Sequence, residues 1–259
     1  MPITSSGFGN DGALGTSVST GVGVGAVQDI AVVAGKPIVV GITGQEGGTI
    51  TGITDTLGNS YIQIVSESTF ILSQIWICLA SVGDHAANRI TGTFASSVRF
   101  KAISAITSGD FASSGIVIAS NVGNAVGSQL VTSGSMSVPA GVGALLFAAA
   151  SSSNDRSWTP ETGATEVYDF FQASGSSSHG SEYEYVLGGG SLTFSSNADT
   201  ATSNLGIAAV ALRLGPQFTT FGDTTPGGST FPATNDRAFL GSFVLTEDAL
   251  VSSVTVSFD

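Results

Sequence analysis

The chain has 259 residues, with seven Lys plus Arg against nineteen Asp plus Glu, for a formal net charge of -12 at pH 7. That charge repels phosphate backbones and anionic lipid heads and excludes nucleic-acid binding, while a lone cysteine, Cys78, excludes an internal disulfide and any multi-cysteine metal site. Hydrophobic residues make up 42% and charged ones 10%, yet the apolar runs are about five to ten residues long, short of the ~20 of a spanning helix, so the chain reads as soluble.

The start, Met1-Pro2-Ile3-Thr4-Ser5-Ser6-Gly7, has neither the basic beginning nor the apolar segment of a secretion signal, so synthesis in a cytoplasm is expected. A surface of Ser, Thr and Gly with almost no Lys fits a working life outside cells. Together these fit a virion component released by lysis, with an extracellular location as the alternative.

Thirty-five glycines, seven prolines and few stretches of helical spacing predict an all-β chain of short strands. Residues 7–27 are Gly-rich, include Gly21-Val22-Gly23-Val24-Gly25, and read as an extended arm or a loosely paired edge strand. Residues 29–33 and 37–43 are β-branched runs that turn through Ala34-Gly35-Lys36, and both are expected to be buried. Residues 49–54 and 61–67 flank the clearest turn, Asp55-Thr56-Leu57-Gly58-Asn59-Ser60, where Gly58 and Asn59 accept positive φ and Asp55 hydrogen-bonds into the turn.

From 70 to 80 the chain is apolar on both faces, with Phe70, Leu72, Trp76 and Cys78 on one and Ile71, Ile75, Ile77 and Leu79 on the other. A central strand covered on both sides fits that pattern. Residues 88–94 and 98–106 read as a hairpin around Ala95-Ser96-Ser97, and 115–120, 129–132 and 143–150 continue at sandwich-like spacing. Residues 151–190 are more polar and aromatic, after which 192–194 and 205–214 close the domain. No internal repeat is evident: Asn154-Asp155-Arg156 and Asn235-Asp236-Arg237 match as tripeptides, but their flanks do not.

Gly215-Pro216 and the stretch 223–230 punctuate the chain as a linker. Beyond it, residues 238–245 and 249–259 alternate as two strands joined through Thr246-Glu247-Asp248. Two strands alone are marginal in water, so this hairpin needs a further module, the first domain or a neighbouring subunit to complete it. The expected layout is an arm at 1–24, an antiparallel β-sandwich of jelly-roll type at 25–214, a linker at 215–231 and a β-hairpin at 232–259. Candidate docking residues of the hairpin are Phe239, Phe243, Leu250, Val254, Val256 and Phe258.

The succession Asp55-Thr56-Leu57-Gly58-Asn59-Ser60-Tyr61, Ile75-Trp76-Ile77-Cys78-Leu79-Ala80, Asn88-Arg89-Ile90-Thr91-Gly92-Thr93-Phe94 and Ala208-Ala209-Val210-Ala211-Leu212 resembles the β-sandwich modules of bacteriophage virion proteins and bacterial extracellular multidomain proteins. The resemblance covers about residues 25–214 and rests on structural motifs: a turn, a core strand, a hairpin strand and a closing strand. It brings no catalytic residue. The tail is similar to the opening strands of a further jelly-roll-like module in such proteins. What the resemblance implies is a virion structural protein, such as a head fibre, decoration or tail-fibre component, whose partners are other virion proteins and copies of itself.

Candidate chemistry is sparse. His85 and His179 both fall in expected loops, and Ser81, Asp84 and His85 are too close in sequence to form a catalytic triad and lack the Gly-x-Ser-x-Gly turn. Glu182 and Glu184 alternate with Tyr183 and Tyr185 on an expected strand, which reads as acids facing solvent and rings facing the core, against a carboxylate pair for glycoside hydrolysis. Trp158, Tyr168, Phe170, Tyr183 and Tyr185 are candidates for glycan or interface contact. Asp55 and Asn59 are weighed as calcium ligands and read as turn stabilisers. No cofactor, metal site or catalytic residue is assigned. An assembly protein without chemical turnover is the expected function, and a carbohydrate-binding adhesin module is the alternative.

Overall fold

Short β-branched runs broken by Gly, Ser and Asn favour strands over helix, and among the described residues even the Ala-rich runs 148–150 and 208–211 are strand, where tertiary packing overrides alanine's helix propensity. The computed structural model describes residues 3–215 apart from 45–47, 70, 113–114, 141, 155, 172–176, 187–189 and 203. Among the described residues there are twenty strands and no helix. The first ten are β1 (Ser5–Asp11), β2 (Gly15–Ser19), β3 (Ile30–Val32), β4 (Ile38–Gly44), β5 (Ile50–Asp55), β6 (Ile62–Glu67), β7 (Leu72–Cys78), β8 (His85–Asn88), β9 (Ile90–Val98) and β10 (Lys101–Thr107). The second ten are β11 (Val117–Ala125), β12 (Ser128–Thr132), β13 (Met136–Val138), β14 (Ala144–Ser152), β15 (Trp158–Pro160), β16 (Thr165–Phe171), β17 (Ser178–Val186), β18 (Gly190–Leu192), β19 (Ser195–Thr202) and β20 (Leu205–Arg213).

The two sets have one topology. The first builds a main sheet in the order β1-β10-β4-β7-β6, covered by β2-β9-β5 and the pair β3-β8. The second builds β11-β20-β14-β17-β16, covered by β12-β19-β15 and the pair β13-β18, so that adding ten to every strand number converts one set into the other. Each pairing is antiparallel.

Individual contacts repeat as well. Thr20 N–H donates to Ile90 O at 2.9 Å and Ile90 N–H donates to Thr20 Oγ1 at 2.9 Å. Ser133 and Phe194 make the same reciprocal pair at 2.8 and 2.9 Å. A Cβ on Gly9 would lie 1.9 Å from Ser19 O, and one on Gly123 would lie 1.8 Å from Thr132 O, so glycine is required where the first strand of each set crosses the second. Lys36 N–H donates to Val33 O as Val142 N–H donates to Pro139 O, at Val32-Val33-Ala34-Gly35 and Val138-Pro139-Ala140-Gly141. The chain therefore contains a tandem structural repeat, contrary to the expectation that it has none.

Both repeats lie in one compact unit, Met1–Gly215. Layer by layer, a first core lies between the first main sheet and its cover, with Ile38, Val40, Ile42, Trp76, Ile90 and Phe94. The matching second core holds Met136, Leu146, Trp158, Phe194 and Leu205. A third core joins the main sheets face to face, with Val39, Ile75, Ile77 and Ile106 meeting Leu145, Phe147, Val210 and Leu212. By register Val39 and Ile106 occupy the places that Leu145 and Leu212 occupy in the second repeat, so each repeat offers the same face to the other.

Burial on both faces is met over residues 71–78, with Trp76 and Cys78 of β7 in the first core and Ile75 and Ile77 in the seam between repeats, but Leu79, expected on a covered face, is 51% exposed. Residues 5–19, expected as part of an arm, form β1 and β2 and pair with β10 and β9. The expected hairpin of 88–94 with 98–106 is replaced by a corner, because β9 belongs to the cover and β10 to the main sheet. Phe100 turns that corner at φ 53°, in the left-handed region that non-glycine residues seldom enter. The hairpin at 232–259, with Phe239, Phe243, Leu250, Val254, Val256 and Phe258, and the linker beyond Gly215 lie outside the described residues.

Candidate functional site

Asp55 closes the turn as its sequence implies. Its Oδ1 accepts from Asn59 N–H at 2.9 Å, and its Oδ2 accepts from Asn59 Nδ2 at 2.7 Å, Tyr61 Oη at 2.8 Å and Asn88 Nδ2 at 2.8 Å. Burial raises its pKa, but the bonds from Asn88, Asn59 and Tyr61 outweigh burial and hold it below the ordinary carboxylate value. Both oxygens are engaged by donors, the arrangement of a structural turn.

The histidines sit in strands, correcting the loop expectation. His85 opens β8 and its Nδ1 accepts from Ala87 N–H at 3.0 Å. Ser81 Oγ donates to Gly83 O at 2.8 Å, and Asp84 Oδ1 accepts from Ala34 N–H at 2.7 Å, so Ser81, Asp84 and His85 bond to separate backbone groups. His179 lies in β17 at the seam, buried, with Nδ1 2.9 Å from Thr43 Oγ1 of the first repeat. Burial lowers its pKa to about 3, so the ring stays neutral.

Of the acids of β17, Glu182 departs from the expected solvent face. Glu182 is only 3% exposed and lies beneath the second cover, where its carboxylate accepts from Glu161 N–H at 2.9 Å and from Ser196 Oγ. Burial, partly offset by those two bonds and reinforced by Glu161 and Glu166, pushes it up to about 7. Tyr183 and Tyr185 face a core as expected, the one at the seam, where they are half-buried with rings edge to face at 5.7 Å. Strict alternation was kept. What the sequence did not carry was that β17 is covered on both faces, by a second sheet on each side.

The five aromatic candidates do not form one platform. Trp158 is a core residue that lies against Gly180 and donates Nε1–H to Ser178 Oγ at 3.0 Å. Tyr168 is buried at the contact between repeats, stacked on Phe8 at 4.6 Å and on Phe170 at 6.3 Å, and accepts from Asn10 Nδ2 at 2.5 Å. Tyr183 lines a groove of about 410 Å³ between the start of β1 and the strands β16 and β17.

The other groove residues used below are Thr4, Ser5, Ser6, Gln28 and Glu166. Gln28 is fixed there because Nε2 donates to Ser6 O at 2.9 Å while its backbone bridges to Phe8. A register shift in β16 between Glu166 and Tyr168 turns Tyr168 inward and leaves Glu166 exposed. Reading residues 1–24 as an arm hides Thr4, Ser5 and Ser6, whose sequence has nothing to mark a site; the one available signal is Tyr183. Among the described residues no cluster of three or more His, Cys, Asp or Glu is placed to hold a metal ion, and no helix is long and apolar enough to cross a membrane. Comparison with protein-family models, curated proteins and solved structures gave no match.

Proposed function

We propose that the chain is a bacteriophage virion structural protein, a head-fibre, decoration or tail-fibre component that acts by subunit assembly and attachment rather than by chemical turnover. The observation that carries this reading is a pair of edge strands. Among the described residues β6 and β11 each have a hydrogen-bonded neighbour on one side only, and they pack against each other at one end of the seam. Neither contains Lys, Arg or Pro, and Ile62 on β6 is 50% exposed. Natural sheets guard open edges with those residues and with bulges; each of these edges carries one register shift, at Gln63/Val65 in β6 and Val117/Ala119 in β11, and the regular stretch beyond it can accept a further strand.

Further support comes from the acidic, Lys-poor composition and from the resemblance to virion β-sandwich modules. Each repeat is read as a jelly-roll variant: the main-sheet order of first, tenth, fourth and seventh strands, facing second, ninth and fifth, supports it. Copies of the same chain and other virion proteins are the expected partners. Light scattering on the intact chain tests the reading. Ile62→Lys, or deletion of residues 232–259, is expected to lower the assembled mass, and an assembly unchanged by both would overturn it.

A further inference from the structure

The seam between the main sheets has two open ends at equivalent places in the repeats, and they differ in chemistry. At one end β6 meets β11, and Ile64, Val65, Val117 and Val122 pack over the rim of the third core. At the other, β16 stands beside β1, and the seam opens into the groove of about 410 Å³ with Tyr183 on its wall. By register Tyr183 takes the place of Ile75, which is 1% exposed in the first repeat. The topology itself tolerates a filled end, so the open one is a property of these particular residues.

We propose that this groove binds a neutral saccharide. Its volume falls within the roughly 300–1,000 Å³ of small-molecule sites. Ser5 Oγ accepts from Ala31 N–H at 3.0 Å and Ser6 Oγ from Gln28 Nε2 at 3.4 Å, so both keep an O–H to donate; Thr4 Oγ1 donates to Thr107 O at 3.0 Å and keeps lone pairs to accept, and Gln28 adds an amide held in place by its bond to Ser6 O. Sugar hydroxyls both donate and accept, and the Tyr183 ring offers a flat apolar surface for the C–H face of a pyranose. Glu166 at the groove and the chain's net charge of -12 select against phosphate, sulfate and carboxylate ligands. The walls lack the apolar depth that a lipid chain needs.

The inference is independent of the assembly reading, since the groove lies at the opposite end of the seam from β6 and β11. An NMR titration of the full-length protein with maltose, cellobiose, lactose and N,N′-diacetylchitobiose, each to about 20 mM, tests it at the weak affinities typical of a shallow site. At least one sugar is expected to shift the amides of residues 4–6, 28 and 183. Tyr183→Ala and Gln28→Ala are each expected to weaken binding about tenfold or more, equivalent to about 1.4 kcal/mol, while Tyr183→Phe keeps the stacking surface and stays within about threefold. Leu130→Ser, on an exposed site in β12, leaves binding unchanged. Circular dichroism and urea midpoints separate lost binding from lost folding. No shift with any of the four sugars, shifts confined to other residues, or binding indifferent to both alanine variants would overturn the proposal. Each of those results leaves the assembled mass, and so the assembly reading, where it was.

Discussion

The two repeats reach one layer arrangement by opposite distributions of volume. In the first, the main sheet supplies the bulk, with Ile38, Val40 and Ile42 directed into its core and Ile30 and Ile90 answering from the cover. In the second, the corresponding main-sheet positions are Ala144, Leu146 and Ala148, and the cover makes up the difference with Met136, Phe194 and Trp158. Gly180 completes the exchange, since a Cβ there would lie 2.5 Å from Trp158 Cγ. Between the sheets the same trade recurs: Gly41 of the first repeat lies beneath the ring of Phe147, its register counterpart in the second. Close packing constrains the volume shared by facing positions far more than the identity at either one.

That comparison is broken most directly at Phe147. Phe147→Ala empties the place over Gly41 and is expected to lower stability by about 3–5 kcal/mol, read from urea unfolding. The partner test is Gly180→Ala, which overpacks against Trp158 and costs about 1–3 kcal/mol alone. Adding Trp158→Leu makes room for the new methyl, so the double variant should be more stable than the sum of the two single losses. Strict additivity would show that Gly180 and Trp158 do not share one space.

A pH series sharpens the contrast between the covers, because the second lies over a buried acid at Glu182, where the first has Gln74 by register. The folded-state value of about 7 stands above the ordinary 4.5. Below 4.5 both states hold the proton and nothing is lost. As pH rises from 4.5 to 7 the unfolded chain ionises first, so stability falls, by up to about 3 kcal/mol, and the loss levels off above 7. Glu182→Gln removes this slope, and its urea midpoint relative to wild type should be higher at pH 8 than at pH 5. His179 contributes the opposite slope, stabilising above 6.5 and fading as pH falls toward 3, but equally in both proteins.

Smaller effects are expected where the repeats agree. Thr20→Ala and Ser133→Ala each remove the hydroxyl that accepts a cover-strand amide, Ile90 N–H or Phe194 N–H, and each should cost about 1–2 kcal/mol. Unequal losses are informative, since Thr20 also bonds Asp29 Oδ1 at 3.1 Å. The smallest effect lies in the largest difference in connection length. The β2–β3 connection has ten residues (20–29) where the β12–β13 connection has three (133–135), and the longer loop holds Val22 and Val24 in the open, 46% and 77% exposed. Val24→Ser should change stability by less than about 0.5 kcal/mol.

Local features were legible in the sequence because they depend on neighbours along the chain. The Asp55 turn is set by Asp55, Gly58 and Asn59, and the double-faced pattern of 71–78 marks a buried strand wherever it lies. The duplication was not legible, because it resides in strand order and register, as in Val39 with Ile106 against Leu145 with Leu212, whose partners are far apart in sequence. Glu182 was misplaced for the same reason: period-two alternation assigns side chains to two faces but does not say whether a second layer covers each. The corner at Phe100 was taken for a hairpin because apolar alternation is identical whether the next strand returns beside the last or crosses to another sheet. Of the candidate site, Tyr183 was visible as an aromatic residue, and the hydroxyls of Thr4, Ser5 and Ser6 were not, because only the fold brings them to it.

Nine residues, 108–116, join the last strand of the first repeat to the first strand of the second. Because the two halves are tethered this closely, each meets its mate at an effective concentration on the order of millimolar, whatever the bulk dilution. A pair of separate chains sharing the same greasy face would come apart on dilution, whereas this one carries its companion with it.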